Sequence, residues 1–169
     1  IKRGATIYGE MVGGAMTADA YHLTATHPEG LGAKLGMKEA LEDAELTLED
    51  VDYINAHATS TPVGDISELK AITGLFGEQV KKLNVSATKS MTGHLLGAAG
   101  AIEAIACIKA TQEDIVPPTI NTTVLGEGIP TDVNLTIGKA QQRKVDVAMS
   151  NTFGFGGHNA IVVFTKVKA

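Results

Sequence analysis

The chain has 169 residues, long enough for one domain with its own core and too short to expect two. Its 14 Lys and Arg against 19 Asp and Glu give a formal charge of −5, and with no basic run this excludes a general nucleic-acid binder. A single cysteine rules out an intrachain disulfide or cysteine-built zinc site, no apolar run is long enough to span a membrane, and no signal peptide is visible, so a cytoplasmic protein is expected.

The opening IKRGATIYGEMVGG has no initiating Met and already reads as a strand, so the chain is expected to be a piece of a longer one. Alternation with Ile and Tyr predicts a strand over Ala5 to Met11, bent or ended by Gly13-Gly14. The polar, turn-rich MTADAYHLTATHPEG, with His22, Thr24 and His27, reads as a long loop over a cleft. Leu31, Leu35, Ala40, Leu41 and Ala44 fit one face of a helix over Leu31 to Ala44, and Thr47 to Asp50 form a capped turn. Val51 to Ala58 is a strand with His57 at its carboxyl end, and Asp65 with Glu68 resembles a reciprocal cap on a helix closed by Gly77.

Leu83 to Ala87 is the next strand, and VSATKSMTGHLLGAAGA (Val85 to Ala101) leads into an apolar helix over Leu95 to Thr111. Apolar residues on nearly every side of that helix predict burial all round, with His94 where it begins. Beyond Pro117-Pro118 comes a loop from Asn121 to Thr131 and a short strand over Val133 to Ile137. Strands over Val145 to Asn151 and Ala160 to Val167, joined by TFGFGGH, close the chain. The β-α-β-α-β-α order followed by strands predicts an α/β fold with a mixed, mostly parallel sheet, and one domain over 1–169 without repeats. Sites in such sheets gather at the carboxyl ends of the strands, where His57, Lys89 with His94, and the Phe153–Gly157 loop all fall.

A glycine-rich turn feeding a helix stabilises negative charge, although a plain strand-to-helix connection with an incidental histidine has the same local pattern. Two imidazoles on neighbouring strand ends are candidates for two donors aimed at one oxygen, each worth ~3 kcal/mol toward a developing oxyanion in a dry site. Glu103 is the one carboxylate in an apolar helix, which is costly unless paired, and Lys89 is the nearest cation, so a buried Lys89–Glu103 pair is expected. The alternative places Glu103 at an exposed notch. Phe153 to Gly157 reads either as a plain hairpin turn or as a loop whose N–H groups face a substrate while its phenyl rings act as a gate. Cys107 lies inside the apolar helix with no histidine at local spacing, so it reads as an inert buried thiol. His22, His27 and His158 lack metal-ligand spacing, and no metal site is expected.

NAHATSTPVGD, the run from Thr88 to Gly100, and NTFGFGGHNA resemble, in that order, the C-terminal half of the elongating β-ketoacyl-[acyl-carrier-protein] synthases, and the likeness extends over essentially the whole chain. The resemblance implies half of a thiolase-like fold of alternating helix and sheet layers, a homodimer, and decarboxylative Claisen condensation of an acyl thioester with malonyl-acyl carrier protein. It implies that His57 and His94 stabilise the enolate, with Lys89 beside them and Glu103 supporting. Phe155 would give an N–H to the acyl oxyanion, and Phe153 and Phe155 would gate the acyl cavity. Thr59, Thr61 and Thr24 would contact the phosphopantetheine arm that carries the substrate, with Gly154 and Gly156 lining the same path, and no further cofactor is implied.

The family's nucleophilic cysteine belongs to an N-terminal half that this sequence does not include, so this chain alone is expected to be inactive. Ala58 stands where members often have Gly, and His158 where Thr is common. A non-catalytic chain-length-factor-like subunit, or a module of a polyketide synthase, would share the fold. The retained His57, Lys89, His94 and GFGG loop favour the catalytic reading.

Overall fold

Five strands form the central sheet of the computed structural model, which describes residues 2–167. In sheet order they are β1 (Glu10–Ala18), β7 (His158–Thr165), β6 (Val147–Gly154), β2 (Tyr53–Asn55) and β3 (Asn84–Ser86). β6, β2 and β3 are parallel, while β7 runs antiparallel to both β1 and β6, so β7 alone is reversed. The carboxyl ends of β1, β2, β3 and β6 therefore share one edge, and the β6–β7 turn lies on it. β4 (Ile115–Val116) and β5 (Gln141–Gln142) make a separate two-stranded ribbon.

Helices cover both faces of the sheet. On one face α1 (Leu31–Asp43) and α2 (Gly64–Phe76) bury Met37, Leu41 and Ile72 against Ile54, Met149 and Ile161. On the other, α4 (Ala99–Glu113) packs Cys107 and Ala110 against Tyr53, Ala148 and Phe164. Neighbouring residues Tyr53 and Ile54 enter opposite cores, as the two-residue side-chain period of a strand requires. A single turn, α3 (Lys89–Thr92), and a 3-10 turn at Leu96–Ala98 connect β3 to α4. The result is the expected α/β architecture.

Several local expectations give way to packing. The first strand runs through Gly13-Gly14 instead of stopping there, with a register shift between Met11 and Gly13. Gly13 is required because α1 crosses so closely: a Cβ there would sit 2.6 Å from Ala44 N and 2.7 Å from Ala40 O. Gly13→Ala is expected to destabilise the fold by about 1–3 kcal/mol, read by urea unfolding, because backbone cannot move aside as a side-chain tip can. For the same reason α1 turns Gly32, Gly36 and Ala40 inward, leaving Leu31 and Leu35 exposed.

The second apolar helix begins at Ala99, so His94 precedes it and lies in the connection after α3. Only one face of α4 is fully buried: Ala99, Glu103, Cys107, Ala110 and Thr111 are inside, while Ile105 is exposed. Residues 133–137 form isolated bridges, Val85 with Leu135 and Thr119 with Ile137, and no full strand. Phe153 and Gly154 belong to β6, so the β6–β7 turn is only Phe155 to Gly157.

Candidate active site

Two loops bring the histidines together. His57 follows β2 and His94 follows α3, and their rings meet edge-on with centroids 5.4 Å apart at an interplanar angle of 87°. Phe153, arriving from β6, lies 5.4 Å from the His57 ring on another side. The expected convergence on the carboxyl edge of the sheet is therefore present.

His57 sits on a clamped loop. Glu68, nearly fully buried on α2, accepts the N–H groups of His57 and Ala58 at 2.9 Å each and the side-chain amide of Asn151 at 3.0 Å. Asp65 accepts the N–H groups of Ser60 and Thr61 at 3.0 and 3.3 Å. These two carboxylates thus hold the His57–Thr61 loop, correcting the reading of Asp65 and Glu68 as a reciprocal helix cap. Burial pushes both carboxyls up, and the N–H groups they accept oppose that rise. The clamp keeps Ala58 at φ 25° and Ser60 at φ 61°, a left-handed backbone that costs a non-glycine residue roughly 1–2 kcal/mol.

Burial drives the His57 imidazole down to about 3, with the Lys89 charge and then His94 adding to the effect. His57 is therefore neutral at physiological pH. Its Nδ1 is buried with no hydrogen-bond partner among the described residues, which leaves Nε2 as the nitrogen able to meet a substrate. The pH consequence has a definite sign. Above the ordinary value of 6.5 neither folded nor unfolded chain protonates this ring, and below it only the unfolded chain does until about pH 3. Wild type is expected to lose roughly 2–3 kcal/mol more stability than His57→Gln between pH 7 and pH 4, measured by urea unfolding.

His94 is exposed, and its Nδ1 accepts the Leu96 N–H at 3.2 Å. That bond makes Nδ1 the acceptor, so in the neutral ring Nε2 carries the proton. Leu96 is held at φ 52° to deliver it. Behind the histidines, Lys89 Nζ pairs with Glu103 Oε1, and their side chains are 5% and 1% exposed. Burial raises the Glu103 carboxyl while the hydrogen bond and charge of Lys89 pull it back. The buried pair expected from the sequence is thus present, and Glu103 occupies no exposed notch.

Thr59, Thr61, Lys89 and His94 line a cleft of about 870 Å³, together with residues 119–127. Thr24, His57, Phe153 and Phe155 are not among the residues that line it. Gly156 N donates to Leu23 O at 2.7 Å, so the turn docks next to Thr24. Asp19 strengthens this docking: its carboxylate accepts from His27 N and Asn159 Nδ2, and its N–H donates to Gly157 O. Phe155 is 79% exposed while Phe153 is buried, so only Phe155 is free to swing. Gly154 ends β6, and Gly156 takes φ 87° in the turn.

Cys107 is fully buried in α4 and burial pushes its thiol up, so it is no nucleophile. Among the described residues no three His, Cys, Asp or Glu side chains cluster as metal ligands do, and no helix is long and apolar enough to cross a membrane. Asn151, Asp19 and Asn159 join the site without a sequence expectation, and Glu68 does so in a role other than the expected helix cap. The only local signal for them was their position inside or beside the motifs.

Comparison with known proteins gives a concordant picture. Residues 8–123 match the model of the β-ketoacyl synthase C-terminal domain. The chain is 51% identical over 167 residues to 3-oxoacyl-[acyl-carrier-protein] synthase 2 of Staphylococcus aureus (strain COL), covering 99% of this chain and 40% of that protein. It is 52% identical over 166 residues to the protein of the same name from Synechocystis, covering 98% and 39%. The chain thus spans about two fifths of these curated relatives. Among solved structures, a type II polyketide ketosynthase in complex with its acyl-carrier protein superposes with TM-score 0.93 at 34% identity, covering 99% of this chain and 40% of that one. A β-ketoacyl synthase from Burkholderia phymatum superposes with TM-score 0.90 at 36% identity, with the same coverages. The layered fold is therefore thiolase-like.

Proposed function

Since this chain belongs to the β-ketoacyl synthase family, as its C-terminal domain, we propose that it supplies the decarboxylation half of a 3-oxoacyl-[acyl-carrier-protein] synthase active in fatty-acid elongation. The observation that carries the reading is the edge-on His57–His94 pair, two imidazoles brought to one spot by separate loops. When a malonyl thioester loses carbon dioxide, the electron pair of the broken C–C bond passes into an enolate whose charge sits on the thioester oxygen. Two Nε2–H donors fixed beforehand stabilise that charge without reorganising, which is where electrostatic catalysis is strongest. The enolate carbon then attacks an acyl thioester, a C–C bond forms, and the acyl group's thiolate leaves.

That thiolate is a cysteine outside this chain, since Cys107 is buried and inert. A neutral His57 suits the role, because an imidazolium there would hold the malonyl carboxylate and oppose its departure. The Lys89–Glu103 pair braces the turn that carries His94. The Phe155 N–H serves the acyl oxyanion and the exposed Phe155 ring forms the moving part of the gate, against the buried Phe153. Thr59, Thr61 and Thr24 guide the phosphopantetheine arm of acyl carrier protein, which brings both substrates, and Gly154 and Gly156 leave it room. The enzyme needs no metal or cofactor of its own and works in the cytoplasm as a homodimer.

Mass spectrometry of a reaction of the two-half enzyme with acyl- and malonyl-acyl carrier protein tests this. A 3-oxoacyl product extended by the two-carbon unit, with carbon dioxide released, is expected. Acyl exchange without carbon dioxide release would overturn it.

A further inference from the structure

We propose that Asn121 is a positioning residue for the turn that presents Lys89 and His94, an inference that rests on the ketosynthase reading for its catalytic consequence. α3 is one turn long, and a single helical turn is not stable by itself. Its Thr88 and Lys89 carbonyls are taken by Thr92 N–H and Gly93 N–H, but Ser90 O has no partner within the turn. The segment after Pro118 supplies one. Asn121 Nδ2 donates to Ser90 O at 3.1 Å, Ile120 N donates to Ser90 Oγ at 2.9 Å, and Ala87 N donates to Thr119 Oγ1 at 2.9 Å.

The same segment is anchored on its other side. Thr119 N donates to Thr136 O and Gly138 N to Thr119 O, both at 2.8 Å. It is therefore a fixed strut between the 133–138 segment and the α3 turn. Asn121 meets two demands at once: it sits at φ 62°, which Asn tolerates better than most residues, and it provides the side-chain donor. Ser90 and Asn121 line the same cleft as Lys89 and His94. His94 is thus set from both sides, by Leu96 N–H at its Nδ1 and by the Ser90–Asn121 latch at the base of its turn.

Two variants isolate the side chain. Asn121→Gly keeps the left-handed backbone and removes the donor, and Asn121→Asp keeps size and backbone tolerance but turns the donor into an acceptor facing Ser90 O. In the two-half enzyme both are expected to lower kcat for malonyl decarboxylation by about tenfold with KM within twofold, since a small misplacement of a catalytic group acts on the transition state. The second readout is the 15N spectrum of the imidazoles, in which the acceptor signature of His94 Nδ1 should average out in both variants. Unchanged kcat, or a raised KM alone, in a folded variant would overturn the proposal. If wild type proves unable to decarboxylate while the His94 signal still averages in the variants, the latch stands and the ketosynthase reading falls. Should Asn121→Gly fail to fold, Asn121→Asp alone decides.

Discussion

Replacing either His57 or His94 by alanine is expected to slow malonyl decarboxylation by about 10²–10³-fold, the usual consequence of deleting one preorganised donor to an oxyanion. Transfer of an acyl group onto the nucleophilic cysteine should stay within about tenfold of wild type, because that step forms no enolate for the two rings to stabilise. Rapid-quench assays that follow carbon dioxide release and acyl-enzyme formation separately would read both numbers.

Lys89→Ala is expected to cost about 3–5 kcal/mol of stability, because it leaves Glu103 buried without its counter-charge. For a chain of this size that corresponds to a fall of roughly 10 °C in Tm. Glu103→Gln should also be costly, since it leaves the buried Lys89 ammonium without its counter-charge, although the amide oxygen can still accept its hydrogen bond. The double change Lys89→Met with Glu103→Leu should recover most of the stability, as apolar replacement of buried ion pairs often does, while leaving decarboxylation impaired. Differential scanning calorimetry of the three variants separates the structural contribution of the pair from its catalytic one. A Tm for Lys89→Ala equal to wild type would mean that Glu103 does not depend on Lys89.

What could be read from the residues follows the range of the forces involved. Glu103 announced its partner because a lone carboxylate in an apolar helix has few ways to be satisfied, and Lys89 belongs to the same β-turn-α unit. His57 and His94 were legible as a pair because the strand order alone places their loops on one edge. Glu68 was misread because Asp65 and Glu68 have the spacing of a helix cap, whereas the fold turns both carboxylates back onto the His57–Thr61 loop. Nothing within a few residues of Glu68 predicts Asn151, which reaches it across 83 positions.

The course of β1 failed for a related reason. Gly13-Gly14 looks like a break when read locally, but in the fold Gly13 admits the α1 backbone at close range and Gly14 lies against Ile161 O of β7. The latch of the Asn121 side chain on the Ser90 carbonyl is likewise invisible in sequence, since the two residues lie 31 positions apart. Elements and motifs are local properties, while clamps and close approaches exist only once the sheet has assembled.

In the proposed mechanism a neutral His57 and His94 donate to a single oxygen. Its most direct test is 1H–15N NMR of the histidine side chains in the two-half enzyme, before and after binding a stable nitro-thioester mimic of the enolate. Both Nε2–H resonances, of His57 and of His94, should move downfield together while each ring keeps a single proton. A shift confined to one ring, or a His57 that carries protons on both nitrogens, would contradict the account.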